Sequence, residues 1–174
     1  DDTIVGQSMT MFEDDTWNAM VAMATKVVSG NDFAQRIEPS YVTVDGEQRC
    51  DVADPFNWGT PLRDVSMVGQ PQFACQNYFP IVYISPRTGG DWIRINANSQ
   101  GQGILLVEGN LWLNGNFQWA GPVYVRGSFH NNGGTGLYGG VVSLGQATVD
   151  ADADVVDQTV SGNAQIHYSS CAIS

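Results

Sequence analysis

The chain has 174 residues, enough for one ordinary domain that buries about 70% of the surface its unfolded form exposes, and too few for two large domains. Charged residues make up 14%, against about 25% in an average soluble protein, so Asn and Gln must supply much of the polar surface, while 10% aromatic residues argue against disorder. Seven basic residues against 18 acidic ones leave a net charge of -11, which repels phosphate backbones and anionic headgroups and argues against nucleic acid or a membrane surface as partner.

No run approaches the ~18 apolar residues of a membrane-spanning helix, and a chain opening on Asp1 and Asp2 is expected to be processed or excised. Residues 1–12 lack a helical period and are expected to form a polar extended arm. From Asp14, a suitable N-cap, Trp17, Met20, Val21, Ala24, Val27 and Val28 recur at helical spacing. Lys26 sits in the expected last turn and Gly30 offers a stop, so the pattern predicts one amphipathic helix over 13–30. Its Met and Trp stripe is expected to pack on the rest of the domain.

Residues 31–90 hold six of the seven prolines and no sustained period, which predicts a loop-rich cap. Short apolar runs at 41–44 and 79–84 could be strands inside it, the second buried on both faces because it does not alternate. Of the three cysteines, Cys50 and Cys75 make the shortest closure, with Cys171 left over. Three pairings remain open, because spacing does not choose among them.

From residue 91 to 174 the pattern changes. Glycine stands at 103, 109, 115, 121, 127, 133, 139 and 145, every sixth position. The second and fourth places after each are mostly apolar, as in Leu105 and Val107, Leu111 and Leu113, Phe117 and Trp119, Val123 and Val125. Six is even, so the two-residue alternation of a strand survives each glycine, and odd-numbered side chains from Ile93 to Ser143 can share one interior. Short strands bent at regular glycines predict a mainly β fold built as a short β-solenoid, three hexads to a coil, whose open edges are covered by the helix and the cap. After residue 155 the apolar phase moves to even positions, Val160 to Tyr168, which requires an intervening bulge or loop. The alternative is an antiparallel β-sandwich, with the glycines marking hairpin turns.

No motif for a nucleophile elbow, a phosphate loop or a zinc protease is present, and His130 and His167 have no evident acidic partner nearby in sequence. No catalytic or cofactor-binding residue is therefore assigned, and the chain is expected not to be an enzyme. Asp150, Asp152 and Asp154 form a weak candidate for Ca²⁺, but alternate residues of an extended strand lie roughly 6.5 to 7 Å apart, so a solvated acidic strand is the preferred reading. Trp92, Trp112 and Tyr124 fall on the exterior phase. Aromatic rings there imply contact with the chain's own helix or cap, with another subunit, or with sugar rings.

Four strings taken together, CQNYFPI (75–81), QGILLVEGNL (102–111), FQWAGPVYVRG (117–127) and GNAQIHYSSCAI (162–173), resemble the C-terminal β-rich region of PilX-like proteins of type IV pilus assembly. Asn57-Trp58-Gly59-Thr60-Pro61 resembles a further motif there. The resemblance spans roughly the last two-thirds of the chain and carries no catalytic residue. It implies an exported bacterial protein at the cell surface or outside the cell, a structural subunit of a pilus or filament whose partners are copies of itself or other subunits. A carbohydrate-binding adhesin module that uses the outer aromatic rings on glycans is the alternative.

Overall fold

A computed structural model describes residues 14–33, 36–61, 74–96, 98–132 and 136–144, together with the strands at 160–161 and 165–167. The arm at 1–12, Asp150, Asp152, Asp154 and Cys171 lie outside the described residues.

The chain opens with helix α1 (Asp14–Ala22) and strand β1 (Lys26–Ser29), followed by a hairpin of β2 (Tyr41–Val44) and β3 (Glu47–Cys50) and then β4 (Ile81–Ser85). From there the strands are short and evenly spaced: β5 (Ile93–Ile95), β6 (Gln100–Gln102), β7 (Ile104–Val107), β8 (Leu111–Asn114), β9 (Gln118–Ala120), β10 (Val123–Val125), β11 (Phe129–Asn132), β12 (Gly136–Tyr138), β13 (Val141–Ser143), β14 (Val160–Ser161) and β15 (Gln165–His167). They visit three sheets in rotation. The first sheet has the order β1-β4-β7-β10-β13, the second β14-β11-β8-β5, and the third β15-β12-β9-β6.

Every pairing within these three sheets is parallel, which sets aside the antiparallel sandwich. Leu105 pairs with Val123 and Val123 with Val141, Ile93 with Leu111 and Leu111 with Phe129, so three hexads separate one rung from the next. The register also contains the expected phase change: Val160 stands opposite Asn131 and Ile166 opposite Leu137, an even residue at the place of an odd one.

From Ile93 to Val141 the odd-numbered residues line the shared interior, whereas in β1 and β4 the even-numbered ones do. Val82, Leu105, Val123 and Val141 form one column, Ile93, Leu111 and Phe129 another, and residues from all three sheets join in one core. In the third sheet the column runs Gly101, Trp119, Leu137. A Cβ at Gly101 would lie 2.6 Å from Trp119 Cζ3, so the bare glycine makes room for the indole, which meets Trp58 edge-on at 6.0 Å.

The corner between the third and first sheets is a column of glycines. Gly103, Gly121 and Gly139 have φ of 110, 133 and 153°, and a Cβ on Gly121 or Gly139 would overlap the carbonyl of the glycine one rung below. Here the periodic glycines both turn the chain and let neighbouring backbones close to hydrogen-bonding distance, with Gly121 N donating to Tyr138 O at 2.7 Å.

Two expected boundaries move. The predicted helix over 13–30 ends at Ala22, and Lys26–Ser29 becomes β1, paired in parallel with β4. Val27 and Val28 satisfy a helical spacing, but their branched side chains favour a strand and β4 supplies a ladder for it. The cap at 31–90 does contain the strand expected near 79–84, yet that strand belongs to the first sheet, so the parallel stack begins before residue 91. As expected from its unbroken apolar run, β4 is covered on both sides, Val82 and Ile84 by the core and Ile81 and Tyr83 by residues under α1.

What remains of the cap closes one end of the stack. Cys50 and Cys75 form a disulfide, the pair favoured by loop length. Fully buried Asn57 donates from Nδ2 to the carbonyls of Ser40 (3.0 Å) and Asp51 (2.8 Å). The exposed edge of β6 is paired by the cap backbone, with Gln100 N donating to Ile37 O and Gln102 N to Trp58 O.

Gly121→Ala is expected to destabilise the protein by about 3 kcal/mol, through both the positive φ and the overlap with Gly103, as read by urea unfolding. The Cys50→Ser, Cys75→Ser double variant is expected to lose about 2 to 4 kcal/mol in the same measurement, and reductant should leave it unchanged while weakening the parent chain.

Candidate functional site

The residues that alternate with the interior ones decorate three outer faces, and each face carries a different chemistry. On the first sheet the outward column runs Val27, Tyr83, Leu106, Tyr124, Val142. Helix α1 lies over it. Trp17 is fully buried there with Leu106, against Met20, Val21, Tyr83 and Tyr124. Trp17 Nε1 donates to Glu108, and the Arg126 guanidinium sits over the indole at 5.4 Å while donating to Glu108 (3.1 Å) and Asp14 (2.8 Å). Tyr124, one of the three exterior rings singled out by phase, is therefore occupied by the chain's own helix. Burial raises the pKa of its hydroxyl, and burial together with Glu108 does the same for Tyr83.

The other two rings lie on the second sheet, away from α1. In register across three rungs stand Arg94, Trp112 and His130, with Trp92 beside them. The Arg94 guanidinium lies 4.6 Å from the Trp112 ring centre, His130 packs against the same ring from the next rung at 4.5 Å, and Trp92 meets Trp112 edge-on at 6.0 Å. Trp112 is thus contacted within the chain by a cation over its ring and by an imidazole. Trp92 flanks this row and is only partly covered. His130 acts in this arrangement as a ring in edge contact with Trp112 and Trp92.

On the third sheet the first rung serves the cap. Gln102, buried although even-numbered, donates from Nε2 to the carbonyls of Cys75 (3.3 Å), Gln76 (2.7 Å) and Tyr78 (3.0 Å). Gly59, at φ 85°, packs against this amide and the Tyr78 carbonyl. The Asn57-Trp58-Gly59 string is accordingly the clasp that fastens the cap to the stack. Further along, Gln100, Gln118 and Gly136 form the outward column. Where the second sheet turns into the third, a polar depression of about 300 Å³ is lined by Arg36, Asn98, Ser99, Gln100, Asn116 and Gln118.

Lys26, the one lysine, takes an inward register position opposite Val82 at the end of the first sheet. Its ammonium donates to the carbonyls of Val52 (2.5 Å) and Asp54 (2.6 Å) and lies 5.7 Å from the Tyr78 ring centre. Burial lowers its pKa, an effect opposed by Asp54 and Asp51. Among the described residues no three potential ligands of the His, Cys, Asp and Glu type converge on a metal-sized site. The weak calcium candidates Asp150, Asp152 and Asp154 are not among those residues.

The amide depression escaped the hexad reading because six residues is the wrong interval. At eighteen, the rung period, Asn98 aligns with Asn116 and Gln100 with Gln118, and that spacing would have shown the row.

No protein-family model, curated protein or solved structure matches this chain.

The partly buried tyrosines make the fold sensitive to alkali. Tyr78, Tyr83 and Tyr124 all have raised pKa values, so the unfolded chain gives up these protons first, near pH 10, and the native state loses stability as the pH climbs through the raised values. Lys26, with its lowered pKa, works the other way only below its ordinary value. Stability should fall as the pH rises above about 10, and Tyr124→Phe should make that fall shallower in urea titrations at each pH.

Proposed function

We propose that the three parallel sheets are the walls of a short β-solenoid and that the chain is a non-enzymatic structural subunit of an extracellular bacterial surface appendage. The observation that carries this reading is the register: strands three hexads apart pair in parallel on each wall around one apolar core. A stack of this kind gives a stiff body whose backbone hydrogen bonds run along its axis, a property suited to mechanical work. The Cys50–Cys75 disulfide fits an oxidising location outside the cytoplasm, and the four strings that resemble PilX-like proteins point to a pilus or filament.

In this reading, subunits meet through the second-sheet face around Trp92 and Trp112, since α1 already covers Tyr124. The polar arm at 1–12 adds a strand to a neighbour's edge. A net charge of -11 makes copies repel, so assembly should strengthen with salt, which screens beyond about 8 Å at physiological ionic strength.

A second reading, a carbohydrate-binding adhesin module, is favoured by the partly exposed Trp92 beside the Arg94, Trp112 and His130 row. With Trp112 already contacted by Arg94 and His130, Trp92 is the ring that would stack on a sugar.

Electron microscopy and sedimentation of the purified chain over a series of salt concentrations test the structural reading. Filaments or discrete higher assemblies that grow with salt, and that disappear when residues 1–12 are deleted from a still-folded chain, are expected. A chain that stays monomeric throughout, and whose antibody labels no appendage on the cells that make it, would overturn the proposal.

A further inference from the structure

The depression at the corner between the second and third sheets is built from three parts of the chain. Asn98, Ser99 and Gln100 come from the turn between β5 and β6, and Asn116 and Gln118 from the corresponding place one rung on. Arg36 reaches in from the cap. Its Nε donates to the Asn98 carbonyl at 2.7 Å, and Glu38 Oε2 lies 3.4 Å from the same nitrogen. Asn98 has φ of 64°, a left-handed conformation that asparagine tolerates better than most residues, and Asn116 Nδ2 approaches its side-chain oxygen at 3.5 Å.

Gln118 has a made place of its own. Gly136, next in the outward column, is buried beneath it, and a Cβ there would stand 2.5 Å from Gln118 Oε1. The missing side chain on the third rung is what allows the Gln118 amide to lie across it.

We propose that this depression binds a neutral oligosaccharide through its hydroxyl groups. Each amide offers a donor and an acceptor side by side, the pairing that adjacent sugar hydroxyls present in return, and four amides from two rungs face one hollow. Its lining contains no apolar side chain to receive those of a peptide and no carboxylate to bind a cation. An anionic sugar is disfavoured because the one guanidinium is shared with Glu38 and the chain as a whole is strongly acidic. At about 300 Å³ the hollow is at the small end of ligand sites and suits one or two sugar rings of a longer chain. This proposal deepens the adhesin reading by giving it a ligand class and a place other than the aromatic row; the structural role does not depend on it.

The test is a glycan array on the full chain, followed by calorimetry with neutral, uronic-acid and sialylated oligosaccharides and a glycine-rich peptide. Neutral oligosaccharides should bind. Asn116→Ala with Gln118→Ala should weaken that binding at least tenfold, and the isosteric Asn116→Asp and Gly136→Ala, whose new methyl displaces the Gln118 amide, should also weaken it, all with unchanged circular dichroism and melting. Trp92→Ala should leave affinity within about twofold, which separates this seat from the aromatic row. Binding of only acidic sugars or only the peptide, no binding to any glycan, or neutral-sugar binding that survives the Asn116 and Gln118 changes and disappears with Trp92 would each overturn the proposal. None of these results bears on whether the chain forms filaments, which microscopy reads separately.

Discussion

The close stacking of backbone on backbone at the glycine corners is the contact on which the rest of the molecule depends. At Gly121 the peptide above and the peptide below approach so closely that a Cβ has no space, and the positive φ that makes the bend is one that other residues avoid. That close approach sets the rung spacing for the strands on either side and so brings Leu105, Val123 and Val141 into one column. The three-hexad period is even, so the alternation of inside and outside set at Ile93 holds through Val141, while β1 and β4, which precede the hexads, bury their even-numbered residues. Apolar packing then follows from position: once the corners hold the register, each odd residue faces its counterpart one rung away.

This arithmetic was legible in the chain because it rests on periodicity, and periodicity is visible without coordinates. The odd interior phase of the hexads, the even phase after residue 155 and the exterior placement of Trp92 and Trp112 all follow from counting, whereas spacing leaves three cysteine pairings open and the fold joins Cys50 to Cys75. The end of α1 did not, because Trp17, Met20, Val21, Ala24, Val27 and Val28 fit a helix as well as the observed helix plus strand. Partnership with β4, a strand more than fifty residues away in sequence, decided the matter, and local spacing carries no record of it. By contrast, the Asp45-Gly46 turn between β2 and β3 was readable and passed over: both residues have positive φ, as a two-residue hairpin demands, and the pair is among the strongest short-range hairpin signals.

The outer faces show where local reading stops. Three exterior rings look equivalent by phase, yet they meet different surroundings. Tyr124 lies under α1, where Trp17, Glu108 and Arg126 pin the helix to the first sheet, while Trp112 stands between Arg94 and His130 and Trp92 flanks them. The network at Glu108 joins residues about ninety apart in sequence, and the amide hollow joins Arg36 of the cap to two separate turns. Such convergences need the rung period and the cap's docking together. Each site is composed of residues that are unremarkable alone: a glutamine, two asparagines, a glycine whose only contribution is to be bare.

Low charge and the position of the single lysine belong to the same design. A stack with an apolar interior has two ends at which that interior would meet water, and at the end formed by β1 the inward column of valines and leucines terminates in Lys26. Its buried stem continues the column, while its ammonium donates to the Val52 and Asp54 carbonyls of the cap. Gln102 and Asn57 repeat the device with neutral amides, each satisfying several cap carbonyls from one side chain. The cap is therefore fixed by directional bonds to backbone oxygen together with Phe33, Ile37 and Trp58, which join the shared core, and one disulfide closes it on itself. An end sealed in this way has no free edge at β6 to offer a neighbour.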